Sequence, residues 1–197
     1  ISKKGIVNYD FEHFEEESKK YQKILLDYKN DNNKVFIDEN FPPLKNWKRI
    51  DDIYNAPLFK KELISPNFVN QGSIGDCYLI ASLSRIAKQY YLVPQLFERY
   101  LPNLILGKVE NSINIKCGAV VIYFQAFGRR TPVLIDTFIP IKNDRPLCSF
   151  LSDNTKSPWF CLVEKAFAKL CGSFSNIVGG FLSNGIYSLF FYYPKHK

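Results

Sequence analysis

The chain has 197 residues, of which 46% are hydrophobic and 23% charged, enough apolar material for the core of one domain and too much for disorder throughout. Its formal charge of +7 comes from lysines spread along the chain and interleaved with acids such as Glu15, Glu16 and Glu17. A solvated basic surface is therefore expected, not a nucleic-acid groove.

No run approaches the roughly 18 uninterrupted apolar residues that a membrane helix needs, so no transmembrane segment is expected. The first residues also lack a charged start followed by an apolar block, which makes a cytoplasmic setting the expectation. Five cysteines, Cys77, Cys117, Cys148, Cys161 and Cys171, are odd in number and contain no C-x-x-C pair. That suits neither a disulfide framework nor a zinc cage, and reduced thiols are expected. The chain begins at Ile1, has no methionine, and stops just after the aromatic run Phe190 to Tyr193. It reads as a piece of a longer protein.

In chain order, Phe11, Phe14, Tyr21, Ile24, Leu25 and Tyr28 recur near helical spacing, with acids early and Lys29 late, which predicts an amphipathic helix from Phe11 to Asn30. Residues 1–35 are read as an N-terminal helical extension and 36–197 as the main domain. The stretch from Phe36 to Pro66, broken by Pro42, Pro43 and Pro57, reads as an irregular arm with short helical turns. From Cys77 to about Tyr90, the spacing of Leu79, Leu83 and Ile86 predicts a buried helix that opens at Cys77. Ala119 to Phe127 and Val133 to Ile141 read as two mostly buried strands of a hairpin, turned at Gly128. Ser157 and Pro158 start a helix whose apolar residues Trp159, Leu162, Val163, Ala166, Phe167 and Leu170 repeat at helical spacing until Gly172 ends it. Gly179, Gly180 and Gly185 are assigned to a loop, and the aromatic segment after them receives no assignment.

The chemistry concentrates in QGSIGDCYLIASLS, residues 71–84. A thiol attacks well only as thiolate, and the positive end of a helix dipole favours that anion, so a cysteine opening a helix is placed to be a nucleophile. Attack on a carbonyl pushes charge onto its oxygen, and the Cys77 backbone N–H with the Gln71 side-chain amide could receive it. Gly72 and Gly75 keep the intervening loop compact and let a substrate backbone come close.

Gln, Gly, two residues, Gly, Asp, Cys and an aromatic, followed by an aliphatic helix, resemble the active-site signature of the calpains, relatives of papain. FPP at Phe41 to Pro43, WKR at Trp47 to Arg49, VLIDTFIP at 133–140 and LVEKAFAK at 162–169 are similar to further motifs of that family in the same order. The resemblance covers roughly residues 36–182. It implies an α+β fold, the helix-rich first subdomain of a papain-like cysteine protease core with a small β-hairpin, acting on internal peptide bonds of a protein or peptide substrate. It implies Cys77 as nucleophile, Gln71 as oxyanion-hole donor, and Gly75 and Gly180 as contacts to a bound peptide backbone. The family's catalytic histidine and asparagine belong to a second subdomain that follows in the same polypeptide, which becomes an expected partner in cis. This chain carries only His13 and His196, and neither matches, so this chain alone is expected to be inactive.

The resemblance also carries departures. At the two positions where calcium-activated calpains hold calcium with acidic residues, this chain has Phe68 and Ser157, so no metal and no cofactor are expected. Tyr78 follows the cysteine where the family usually has tryptophan, and FLSNGIYSLFFYY, from Phe181 onward, replaces a more acidic stretch.

Each residue also has a plainer reading. Cys77 and Gln71 taken singly would be a buried thiol and a surface amide; their spacing raises them. Asp76 is expected to cap the helix carrying Cys77, Gly179 and Gly180 could form a simple turn, and His13 and His196 are expected to be exposed bystanders. Cys117, Cys148, Cys161 and Cys171 are expected to be core or incidental. Two rival functions stay open: a catalytically inactive calpain-like interaction module, and a basic nucleic-acid binder with aromatic stacking residues.

Overall fold

The computed structural model describes residues 11–29, 34–41, 46–54, 64, 66–97, 113–114, 118–126, 129–151 and 157–189. They form an α+β arrangement of four helices and small antiparallel sheets, the class expected from the sequence. The N-terminal helix α1 spans Phe11–Lys29, after which β1 (Trp47–Arg49) runs into a single 3-10 turn at Ile50–Asp52. A further 3-10 turn, Pro66–Phe68, leads into β2 (Val69–Asn70), and α2 then spans Cys77–Ala87.

Strands β3 (Ile113–Asn114), β4 (Ala119–Ala126) and β5 (Arg129–Asp136) form one antiparallel sheet, with Val120 opposite Ile135 and Ile122 opposite Val133. Both faces of this hairpin are covered, which explains why β4 is apolar at nearly every position instead of alternating. On one face Val120, Ile122, Phe124, Val133 and Ile135 join the main core. The opposite face, with Ala119, Val121, Tyr123 and Leu134, takes Leu25, Tyr21, Ile24 and Tyr28 of α1.

The hairpin differs from the sequence reading in where its second strand lies. The apolar run from Val133 to Ile141 is two strands: β5 starts at Arg129 and ends at Asp136, and β6 (Phe138–Lys142) resumes after Thr137 in a different sheet. Strand β6 pairs with β1, Trp47 opposite Pro140, and with β7 (Arg145–Pro146). Asn143 and Asp144 make the two-residue turn between β6 and β7 with φ of 52° and 57°, a conformation these side chains tolerate. The break falls at Asp136 because its carboxylate accepts the backbone N–H groups of Phe138 (2.8 Å) and Asp38 (2.9 Å), turning the chain. Apolar periodicity does not register such a turn.

Strand β8 (Phe150–Leu151) pairs with β2, Asn70 opposite Phe150, and α3 spans Trp159–Leu170. Pro158 is the residue preceding the helix, one position later than the sequence start signal indicated, and makes no side-chain cap. Every residue from Trp159 to Ala168 is buried, including Glu164 and Lys165. Burying an aliphatic or aromatic side chain contributes about 1.5–3 kcal/mol, so α3 is the centre of the core and not an amphipathic surface helix.

The last described helix, α4 (Leu182–Leu189), forms from the segment that received no assignment. Gly185 lies inside α4 and not in a loop. It sits on α2, where a Cβ would come 2.4 Å from Ser82 Oγ, so the glycine lets the two helices meet. Among the described residues no helix is long and apolar enough to cross a membrane.

Candidate active site

Cys77 is the first residue of α2 and its side chain is exposed, so its sulfur is open to a reactant. The first turn is formed by Leu79 N–H (2.8 Å) and Ile80 N–H (3.2 Å), both donating to the carbonyl of Asp76. Asp76 holds the position before the helix, yet its side chain caps nothing, which corrects the capping role expected from its position. The carboxyl turns inward, where the residue is 1% exposed.

Gln71 follows β2 and is exposed. The loop from Gln71 to Cys77 is pinned from below, Ser73 N–H donating to the Leu147 carbonyl at 2.9 Å. Gly72 lies so close to this backbone that a Cβ would sit 2.1 Å from the Leu147 oxygen, an overlap only glycine avoids. Gln71, Gly72 and Ser73 line an open cleft of about 640 Å³ together with Lys142, Arg145 and Leu147. Cys77 is outside that lining.

The two glycines assigned to peptide contact belong to loops that touch. Gly179 N–H donates to the Gly75 carbonyl at 3.1 Å, and the next residue, Gly180, is exposed beside it. A Cβ at Gly180 would come 2.8 Å from the ring of Tyr78, so the aromatic that follows Cys77 supports the loop bearing Gly180. Burial, with Cys171, Asp76 and Cys77 as further causes, pushes the Tyr78 hydroxyl up to about 12, so it stays protonated.

The other thiols divide by burial. Cys148 and Cys161 are buried, whereas Cys171 is exposed, and Cys117 lies outside the described residues. Cys161 donates its thiol to the Ser149 carbonyl at 2.9 Å. Cys148 is held well above the usual thiol range by its hydrogen bond with Cys161 and by burial, and burial also raises Cys171. His13 is on α1, which covers the hairpin face opposite the main core that includes α2. His196 lies outside the described residues.

Beneath Cys77 is a feature the sequence reading missed. Burial raises the Asp76 carboxyl above the usual carboxylate range. Burial and the nearby Asp76 raise that of Glu164 as well, against two stabilising hydrogen bonds from Ser149. The available signal was a glutamate among the closely spaced apolar residues of α3, where a charge is seldom buried without a partner. Phe68 and Ser157 supply no carboxylate to a calcium ion, and among the described residues no group of three or more His, Cys, Asp or Glu side chains is placed to hold a metal.

The sequence pattern described as calpain family cysteine protease matches residues 26–190. The chain is 29% identical over 167 residues to Calpain-5 of Caenorhabditis elegans, covering 77% of this chain and 24% of that protein. It is 32% identical over 144 residues to Calpain of Schistosoma mansoni, covering 73% and 18% of the respective chains. Similarity to human Calpain-14 is 29% over 150 residues, covering 75% and 20%. The chain thus spans about a quarter or less of the length of these relatives.

Proposed function

This chain belongs to the calpain family of cysteine proteases, and on that premise we propose that Cys77 is its nucleophile and Gln71 its oxyanion-hole donor in hydrolysis of internal peptide bonds. The observation that supports this most is an exposed thiol on the first residue of a buried helix, while Cys148 and Cys161 are packed away. In the reaction the Cys77 thiolate adds to the scissile carbonyl, and the oxyanion is received by the Cys77 N–H and the Gln71 amide. The C–N bond breaks as the amine takes a proton, leaving a thioester that water hydrolyses to restore the thiol. Gly75 and Gly180, on adjoining loops, would bond the peptide backbone and hold the carbonyl at the sulfur.

The proton transfers need a general base and acid. In this reading the imidazole that supplies them comes from a second subdomain in cis, not from His13 or His196. This chain by itself then carries an alkylatable nucleophile with negligible turnover, since each missing acid or base role costs about a hundredfold to ten-thousandfold. The reaction at this half runs without calcium at the positions of Phe68 and Ser157.

Iodoacetamide labelling tests the reading. Cys77 is expected to react at neutral pH faster than exposed Cys171, and Cys77→Ser to remove the fast phase, while the isolated chain leaves a peptide substrate uncut. Equal labelling of Cys77 and Cys171 would overturn the nucleophile assignment.

A further inference from the structure

Asp76 and Glu164 form a carboxyl pair inside the protein, directly behind the nucleophile position. Asp76 is 1% exposed and Glu164 0%. One oxygen of Glu164, Oε2, accepts from the Ser149 backbone N–H at 2.7 Å and also from the Ser149 hydroxyl. Among the described residues the other, Oε1, has no hydrogen-bond donor, and neither does Oδ1 or Oδ2 of Asp76. The two carboxyls lie against each other. Ionised carboxylates only accept hydrogen bonds, so two of them in contact cannot satisfy one another, whereas a single proton turns the contact into a hydrogen bond.

The surroundings, among the described residues, offer no substitute for that proton. Among the described residues, the titratable groups facing the pair are Cys148, from the segment before β8, on the Glu164 side and Tyr78, on α2, on the Asp76 side, with Cys161 and Tyr54 lying beyond Cys148. None is a cation. Lys165, next to Glu164 in the chain, pairs with Asp136, and Lys169 pairs with Asp38. Two like charges buried without a cation are opposed by both desolvation and mutual repulsion, so retaining a proton is favoured.

We propose that Asp76 and Glu164 hold one proton between them at neutral pH, and that Glu164 thereby acts as a positioning residue for Cys77. This rests on the reading of Cys77 as the nucleophile. The link is short: the Asp76 carbonyl receives the first two N–H bonds of α2, so the seating of its side chain sets the first turn, on which Cys77 stands. Charge adds to geometry. A fully ionised pair would place a second anion behind the same helix end that favours the thiolate, and like charges oppose each other's ionisation.

Two measurements on the whole chain test this, with Cys171→Ser present so that labelling reports Cys77. The infrared spectrum should show a protonated carboxyl at neutral pH in the otherwise unaltered chain, lost in Glu164→Gln. The rate of iodoacetamide labelling against pH should show a second inflection as the shared proton leaves. Glu164→Leu should lower the neutral-pH rate about tenfold, the size of one unit of thiol ionisation. Glu164→Gln, whose amide can donate to Asp76 in the proton's place, should recover most of that loss and lack the second inflection. Absence of the infrared band, or identical pH profiles with and without Glu164→Gln, overturns the proposal. Should Glu164→Leu fail to fold, the infrared band and Glu164→Gln still decide it. A band alongside a Cys77 no faster than a free thiol sinks the nucleophile reading, and the positioning role with it, but leaves the shared proton standing.

Discussion

Glu164 and Lys165 are neighbours on α3, both wholly buried, and they solve the same electrostatic problem in opposite ways. Lys165 meets the Asp136 carboxylate directly and donates to the Phe138 carbonyl at 2.7 Å, and its ammonium lies 4.9 Å from the centre of the Trp47 ring. Asp136 in turn ties down Asp38 and Phe138. Here charge is compensated by charge, and α3, the β5–β6 break and the arm at Asp38 are locked together. Glu164 meets another acid instead, with Ser149 its only donor among the described residues. A compensated pair serves as a staple. An uncompensated one must hold a proton, and a held proton responds to pH.

The comparison can be broken most forcefully from the compensated side. Lys165→Met leaves Asp136 buried without its cation and is expected to cost about 3–5 kcal/mol in urea unfolding. Glu164→Leu removes a partner from Ser149 and Asp76 but also removes an uncompensated carboxyl, so a smaller loss of about 1–3 kcal/mol is expected from the same measurement.

Glu164→Gln sharpens the contrast through pH. An acid whose folded pKa is raised, as both Asp76 and Glu164 are, binds its proton more tightly in the folded chain. Its contribution is complete below the unfolded carboxylate range, near pH 4, and declines as pH rises towards the folded pKa. The decline is about 1.4 kcal/mol for each pH unit in which one more proton is kept by the folded chain than by the unfolded one. Unfolding at a series of pH values should therefore show stability falling on the alkaline side of that range, with a flatter curve for Glu164→Gln. The exposed pair Lys48–Asp144, at 3.5 Å, is the control: Lys48→Ala should leave the unfolding midpoint unchanged within error.

Much of the fold was legible from local pattern. The periodicity of α2 and α3 placed both helices to within a few residues, because apolar faces at helical spacing follow from the chain alone. The break at Thr137 was not legible, since Val133 to Ile141 stays apolar across it and the turn depends on Asp136 bonding to a residue 98 positions away. Helix α4 was hidden by Gly185, which signals a loop until the neighbouring α2 is present to need a small residue. At the site, the place of Cys77 at the helix start could be foreseen, but the inward turn of Asp76 could not. Capping is what an aspartate at that position does when nothing else claims it, and here Glu164, 88 residues on, takes its side chain.

The order of residues alone thus determined which family this chain resembles, where its helices start, and which thiol opens one of them, since spacing and composition are properties of neighbours in sequence. Packing decided the rest: that Cys77 is open while Cys148 and Cys161 are closed, that the Gly75 and Gly180 loops meet, and that two acids face each other beneath the sulfur. Burial and charge pairing depend on residues brought together from distant parts of the chain, and only the folded molecule brings them together.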